Sequence, residues 1–149
     1  GQLDIMKSSV GIICLLATIL GAHGICRFQL DEPSQKCAEQ HGYTSQQVFS
    51  HYNEGYSSEE APKHNLFVEC CWTAWGFLNS DQSINYEAIR STKRHPFDVT
   101  GVCDDAPSEP KTPNPFVDAV NKCESGAPSH VRAETIRFCI AKHYRENIH

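Results

Sequence analysis

Cysteine is the most reactive residue type in this 149-residue chain, which contains eight cysteines. Two of them, Cys70 and Cys71, are adjacent at the start of the stretch CCWTAWGF. Neighbouring residues on an α-helix point about 100° apart. A disulfide between sequence neighbours would close a small, strained ring that does not fit a helix. We therefore expect these two thiols to form disulfides with two different segments, one earlier and one later in the chain.

The sequence contains none of the familiar catalytic signatures. Neither G-x-S-x-G nor H-E-x-x-H occurs. A secreted phospholipase would follow its paired cysteines with a His-Asp couple, whereas here Trp72, Thr73 and Ala74 follow them. A sulfur held in a disulfide is neither a nucleophile nor a zinc ligand. We predict a protein that is not an enzyme and that has no catalytic residues, metal site or cofactor.

Residues 6–24 have the pattern of a secretory signal peptide. Lys7 precedes the apolar run 10–20, and small residues follow at the expected cleavage position. The run is about a dozen residues long, whereas a helix needs about 20 to span a bilayer. We expect a secreted, extracellular protein without a membrane span, and we treat residues 1–5 as upstream sequence.

The cleavage position decides how many cysteines the mature chain keeps. Cleavage after Gly24 retains Cys26, whereas cleavage after Cys26 leaves an even six. We favour six paired cysteines, because an oxidising compartment rarely leaves a thiol unpaired. Residues 25–149 are then a single domain with three disulfides. The net charge of −5 argues against nucleic acid or an anionic membrane as a partner.

Helix signals dominate the mature sequence and strand alternation is nearly absent, so the predicted fold class is all-α. Thr44 or Ser45 caps one helix and Asn85 another, and Asn114 precedes a proline at the first position of a third. Residues 95–113 contain four prolines and are predicted to be a long connection without a helix. The predicted helices are 31–42, 44–52, 57–77, 84–93, 115–123 and 129–146.

Several motifs resemble those of one family. The segment 70–89, CCWTAWGFLNSDQSINYEAI, resembles the third-helix motif of insect odorant-binding proteins, in which Gly-Phe follows a cysteine after five residues. Residues 121–144 are similar to the last two helices of that family, and EPSQKC to its first cysteine. In this chain an aromatic pair, Trp72 and Trp75, precedes Gly-Phe. This arrangement most resembles that of the small salivary members of the family from blood-feeding flies. The resemblance implies a disulfide-stapled bundle of about six helices.

The family resemblance also implies a disulfide framework. Two family cysteines are missing, and Leu66 and His130 stand at their expected positions. Sequence alone permits 15 pairings of six cysteines. The resemblance implies the disulfides Cys37–Cys70 and Cys123–Cys139. The two cysteines that do not match the family pattern would then form a third disulfide, Cys71–Cys103. This disulfide would hold the proline-rich segment 95–113 against the predicted helix 57–77.

Members of this family enclose a small apolar ligand within the helix bundle, which implies a pocket lined by aromatic side chains. An aromatic stripe at helical spacing is equally expected in a filled core, so both interpretations stay open. The ligand-binding residues predicted on the pocket interpretation are Trp72, Trp75, Phe77, Phe116, Phe138 and Tyr144.

The resemblance implies a carrier or scavenger of an odorant, a biogenic amine or a lipid mediator in antennal, haemolymph or salivary fluid. An amine would need a carboxylate, and Glu69, Asp118 and Glu134 are candidates, although solvated surface positions are more usual for acidic residues. The alternative function is a salivary protein that blocks a host haemostatic or immune factor through its outer surface, without a ligand pocket. The sequence predicts no oligomeric state.

Overall fold

The computed structural model describes residues 28–55, 60–104 and 109–149. Residues 1–5, the predicted signal peptide at 6–24 and its cleavage site lie outside this part. Within it the chain forms helices without a β-strand, which confirms the predicted all-α class. No described helix is both long and apolar enough to cross a bilayer. The helices are α1 (Glu32–His41), α2 (Ser45–Glu54), α3 (Pro62–Ala74), α4 (Tyr86–Arg90), α5 (Pro96–Thr100), α6 (Pro115–Gly126) and α7 (Ala133–Ile148).

Local sequence sets the ends of the first two helices. Asp31 caps α1, because its Oδ1 accepts a hydrogen bond of 3.0 Å from the Ser34 amide. Gly42, with φ 70°, ends α1 in the left-handed conformation that glycine adopts without strain. Thr44 and Gln47 form a reciprocal capping box at the start of α2. These starts and stops lie within a residue or two of the predicted ones.

Helix α5 lies inside the segment that was predicted to be an unstructured connection, so that prediction is wrong for residues 96–100. His95 Nδ1 accepts a 3.2 Å hydrogen bond from the Phe97 amide and so caps the helix. Pro96 occupies the first turn, where its missing N–H costs nothing. A helix of one turn is too short to show a 3.6-residue period, so prolines alone dominated the sequence pattern.

The core forms where α3 packs against α1 and α7, and α6 packs along α7. Its largest buried apolar side chains include Trp72 and Phe67 on α3 and Ile140 on α7. A disulfide between Cys37 and Cys70, with an S–S distance of 2.02 Å, joins α1 to α3. A second, between Cys123 and Cys139 at 2.06 Å, joins α6 to α7.

The predicted Cys71–Cys103 disulfide is wrong. Cys71 carries a free thiol that is fully buried, and burial raises its pKa to about 12. Cys103 is disulfide-bonded, but its partner is none of the other described cysteines. The 100° offset between neighbouring residues points Cys70 toward Cys37 on α1 and Cys71 into the packed core. The expectation that the six cysteines from Cys37 to Cys139 all pair with one another is therefore wrong, because Cys71 is unpaired.

Candidate functional site

An open groove of about 680 Å³ lies between three segments of the chain. Helix α3 borders it through Glu69, and a turn at residues 78–86 and the segment 128–133 before α7 form its two walls. Its volume lies in the range of about 300 to 1,000 Å³ that is usual for small-molecule sites. The lining residues are Glu69, Leu78, Asp81, Gln82, Ser83, Ile84, Tyr86, Pro128, His130, Val131, Arg132 and Ala133.

The first wall is a turn held by its own hydrogen bonds. Leu78 and Ile84 form an isolated antiparallel bridge, and the Asn79 amide donates to the Ser83 carbonyl at 2.8 Å. Asp81 Oδ1 accepts hydrogen bonds from the amide of Ser83 at 3.0 Å and from its hydroxyl at 2.5 Å. The side-chain hydrogen bond from Ser83 holds the pKa of Asp81 below its ordinary value. The turn is therefore ordered although it is exposed.

An ion pair ties the second wall to α3. Arg132 Nε donates a 2.7 Å hydrogen bond to Glu69 Oε1, and this bond raises the pKa of Arg132. The two side chains are 37% and 28% exposed, so water screens part of their attraction. Val131 lies beside them in the same wall and contributes apolar surface. The wall thus presents a charged pair next to an apolar residue.

Backbone strain coincides with the groove. Among the described residues that are not glycine, positive φ occurs at Gln82, with 68°, and at His130, with 61°. Gln82 lies in the first wall and His130 in the second. Such conformations cost on the order of 1 to 3 kcal/mol each and collect at ligand sites. Residues 79–83, NSDQS, are typical of a turn, but the sequence carries no sign of this strain, because neither Gln82 nor His130 is a glycine or an asparagine.

Comparison with known proteins supplies the family. The sequence model of the PBP/GOBP family matches residues 28–143, which is most of the chain. The chain belongs to the PBP/GOBP family. This is the insect odorant-binding superfamily, so the resemblance of the cysteine and Gly-Phe motifs is confirmed. No curated protein and no solved structure matches the chain significantly. PBP/GOBP proteins bind small hydrophobic ligands and are binding proteins, not enzymes.

The six aromatic residues predicted to line a PBP/GOBP-type pocket belong to the packed core or lie against it, except for Phe138. Trp72 and Trp75 each lie 5.6 Å from Phe77 between ring centroids, and Trp72 and Phe77 are buried in the core. Phe116 and Tyr144 form a separate pair at 6.0 Å. Phe138 is 38% exposed. None of the six lines the groove.

The three candidate carboxylates have different environments. Glu69 lines the groove, but Arg132 already holds it. Asp118 is partly exposed on α6. The expectation of a solvated surface position is wrong for Glu134, which is fully buried at the start of α7. The expectation rested on the rule that acidic side chains are seldom buried without a partner, and here Arg137 and His64 are the partners.

Glu134 belongs to a buried ionic cluster. Arg137 binds it with two hydrogen bonds, Nε to Oε2 at 2.5 Å and Nη2 to Oε1 at 2.7 Å. His64 Nε2 lies 3.2 Å from Oε1, and Arg137 Nη1 donates to the Thr100 carbonyl at 3.0 Å. Burial alone would raise the pKa of Glu134, but the bonds from Arg137 and His64 lower it below its ordinary value. This cluster is a filled structural network and offers no space for a ligand.

Cys123, Cys139 and His143 have ligand atoms within 4.8 Å of one another, which is close enough to share a metal ion. The two sulfurs are joined in a disulfide, however, and a metal needs thiolates. His143 Nδ1 lies 2.8 Å from Glu146 Oε2, so one ring nitrogen already has a partner. These three residues therefore do not fit a metal.

Proposed function

We propose that this PBP/GOBP protein is a secreted carrier or scavenger that binds a small amphipathic ligand in the groove between residues 78–86 and 128–133. The observation that carries the proposal is a ligand-sized groove of about 680 Å³ with a strained residue in each wall. The family supports a small hydrophobic ligand. The ligand would be an odorant, a biogenic amine or a lipid mediator, and the protein would act in saliva.

The groove residues favour an amphipathic ligand over a purely apolar one. Leu78, Ile84 and Val131 supply apolar surface for the body of a ligand. Tyr86 and Asp81 supply polar groups nearby, and Asp81 Oδ1 accepts both bonds from Ser83, which leaves the other carboxylate oxygen for a ligand donor. A ligand with an apolar body and one hydrogen-bonding end matches this arrangement.

A second candidate function is the blocking of a host haemostatic or immune factor through the outer surface. The packing of the helix bundle supports it, because Trp72, Phe67 and Phe77 lie at most 1% exposed in a core that fills the space between α1, α3 and α7. On this alternative the groove would hold no guest. Leu66, which is 49% exposed on α3, would then belong to the recognised surface.

Displacement of N-phenyl-1-naphthylamine, a fluorophore that brightens in apolar sites, tests the carrier. Serotonin, histamine, a leukotriene and a long-chain alcohol are the competitors. Val131→Trp should fill the groove and weaken fluorophore binding about tenfold, which corresponds to 1.4 kcal/mol. Leu66→Trp, on exposed surface outside the groove, should leave it unchanged. Equal binding by the wild type and Val131→Trp would contradict the groove as the site.

A further inference from the structure

The disulfide partner of Cys103 lies outside the described part of the chain. Cys103 is disulfide-bonded. The other described cysteines are accounted for by two disulfides and one free thiol: Cys37–Cys70, Cys123–Cys139 and Cys71. The chain has eight cysteines, and the remaining two, Cys14 and Cys26, precede residue 28, where the described part begins. Within the chain, the partner of Cys103 is therefore Cys14 or Cys26.

The first described residue lies beside the segment that carries Cys103. The ring centroid of Phe28 is 5.8 Å from that of Phe97 in α5 and 5.6 Å from that of Tyr52 in α2. Gly101, directly after α5, packs against the same tyrosine, because a Cβ at Gly101 would lie 2.8 Å from the Tyr52 Cβ. Tyr52 therefore contacts both the start of the described chain and the residue two positions before Cys103.

Chain length restricts which cysteine can reach Cys103. Cys26 precedes Phe28 by two residues, and an extended chain spans at most about 3.6 Å per residue. The Cα atoms of a disulfide are usually about 4.4 to 6.8 Å apart. Cys26 is therefore within reach of the segment that follows α5. Cys14 lies further back, within the predicted signal peptide 6–24, which is removed on export.

The disulfide of Cys103 also distinguishes the two candidate cleavage positions. Cleavage after Cys26 would discard this residue with the signal peptide and would leave Cys103 without a partner. Cleavage after Gly24 keeps Cys26 as the second residue of the mature chain. Ala22 and Gly24 then occupy the two positions where signal peptidase requires small residues. A disulfide at Cys103 is thus compatible with cleavage after Gly24 alone.

We infer that the signal peptide is cleaved after Gly24 and that Cys26 pairs with Cys103, which fixes the mature N-terminus to the segment after α5. Water hydrolyses the peptide bond between Gly24 and Ile25. The two thiols lose two protons and two electrons, and a disulfide-donating oxidoreductase of the secretory compartment takes them up by reduction of its own disulfide. The mature chain then has three disulfides and one buried free thiol, at Cys71. The inference rests on the secretion proposed above and is independent of the groove.

The disulfide would stabilise one side of the helix bundle. Chain termini usually fray unless they are tied down. The Cys26–Cys103 disulfide holds Phe28 against Tyr52, whose ring also carries the Arg137 guanidinium, 4.3 Å from the ring centroid. It also closes a long loop, residues 26–103, which restricts the unfolded chain.

Peptide mapping without reduction tests the inference on the protein secreted by insect cells from the chain that begins at Met6. Trypsin cuts after arginine and lysine, so it should release residues 25–27 linked by a disulfide to residues 95–111. N-terminal sequencing should begin at Ile25. An N-terminus at Arg27, an uncleaved chain, or Cys103 recovered as a free thiol or bound to any other cysteine would overturn the inference. Fluorophore binding by the same preparation tests the groove separately.

Variants test whether the two cysteines act as one pair. Cys26→Ser and Cys103→Ser should each lower the melting temperature by about 10 °C. The double variant should lower it no further, because each single variant already breaks the same bond. Cys71→Ala is the control and should leave the linkage between residues 25–27 and 95–111 intact. Additive losses in the double variant, or loss of the linkage in Cys71→Ala, would overturn the pairing.

Discussion

Two glutamate–arginine pairs meet at the start of α7 and behave differently. Glu134 and Arg137 are fully buried and are held by His64 and the Thr100 carbonyl. Glu69 and Arg132, only a few residues away, are about a third exposed at the edge of the groove. Each pair contains a hydrogen bond of 2.7 Å or shorter, so distance does not distinguish them.

The difference lies in what surrounds each pair. A buried pair is costly to break because the remaining charge cannot be solvated, whereas an exposed pair exchanges one partner for water. The buried pair therefore fixes the first turn of α7. The segment 130–133 leads directly into that turn, so a rigid anchor holds the strained wall of the groove in place. The buried Glu134–Arg137 pair thus stabilises the fold, whereas the neighbouring, partly exposed Glu69–Arg132 pair borders the groove.

Substitution in the buried pair should cause the largest change in the free energy of unfolding. Arg137→Met leaves Glu134 buried without its main partner and should lower the free energy of unfolding by about 3 to 5 kcal/mol. The double variant Glu134→Leu/Arg137→Met should recover most of this loss, because no unpaired charge remains. Urea denaturation measures both. A loss below 1 kcal/mol in the single variant would contradict the distinction between the two pairs.

Acid should weaken the region of the buried cluster in two steps, because His51 lies beside the cluster, with its ring centroid 5.1 Å from that of His64. The pKa of His51 is lowered by burial and by the charge of His64, so its contribution is present above pH 6.5 and is lost as pH falls below that value. The lowered pKa of Glu134 adds a second loss as pH falls below about 4.5, its ordinary value. Urea midpoints between pH 7.5 and 3.5 measure this profile. His51→Gln should remove the upper step, and an unchanged upper step would contradict the assignment.

Relief of backbone strain in the groove should change the free energy of unfolding less than Arg137→Met does, and in the opposite direction. Gln82→Gly and His130→Gly should each raise the free energy of unfolding by about 1 kcal/mol, because the strain of 1 to 3 kcal/mol exceeds the entropic cost of glycine. Fluorophore affinity should fall, since the walls become less organised. Lys93→Gly, at an exposed position without positive φ, is the control and should be slightly destabilising. Destabilisation by all three variants would argue against strain.

The smallest effect on stability is expected at the exposed pair. Arg132→Ala should change the free energy of unfolding by less than about 1 kcal/mol, in contrast to the effect of Arg137→Met. Fluorophore binding should nevertheless weaken severalfold, because the wall loses its tie to α3. Denaturation and titration on the same preparation measure both quantities. A large loss of stability without any change in binding would reverse the roles of the two pairs.

The sequence predicted much of the fold because the signals that specify it are local. Thr44, Asn85 and Gly42 set helix ends through contacts within a few residues, and such patterns can be read directly. The free thiol of Cys71 could not be predicted, because it depends on which face of α3 lies in the core. The burial of Glu134 could not be predicted either, because it depends on the packing of α7 against α3, which carries its distant partner His64.

The candidate site was less predictable than the fold. The aromatic residues that suggested a pocket, such as Trp72 and Phe77, were identified by residue type and lie in the core. The groove is formed mainly by a turn and by a segment between helices, which carry no periodic signal. Their juxtaposition depends on long-range packing and on the Arg132–Glu69 contact, and neither is visible in one sequence.

Location of the bound fluorophore tests the central claim most directly. In a ¹⁵N-edited titration with N-phenyl-1-naphthylamine, the account predicts that the perturbed amides belong to residues 78–86 and 130–133. The amides of the core residues Trp72 and Ile140, which do not line the groove, should stay unchanged. Perturbation of those core amides with no change along the groove would place the guest inside the bundle and would contradict the account.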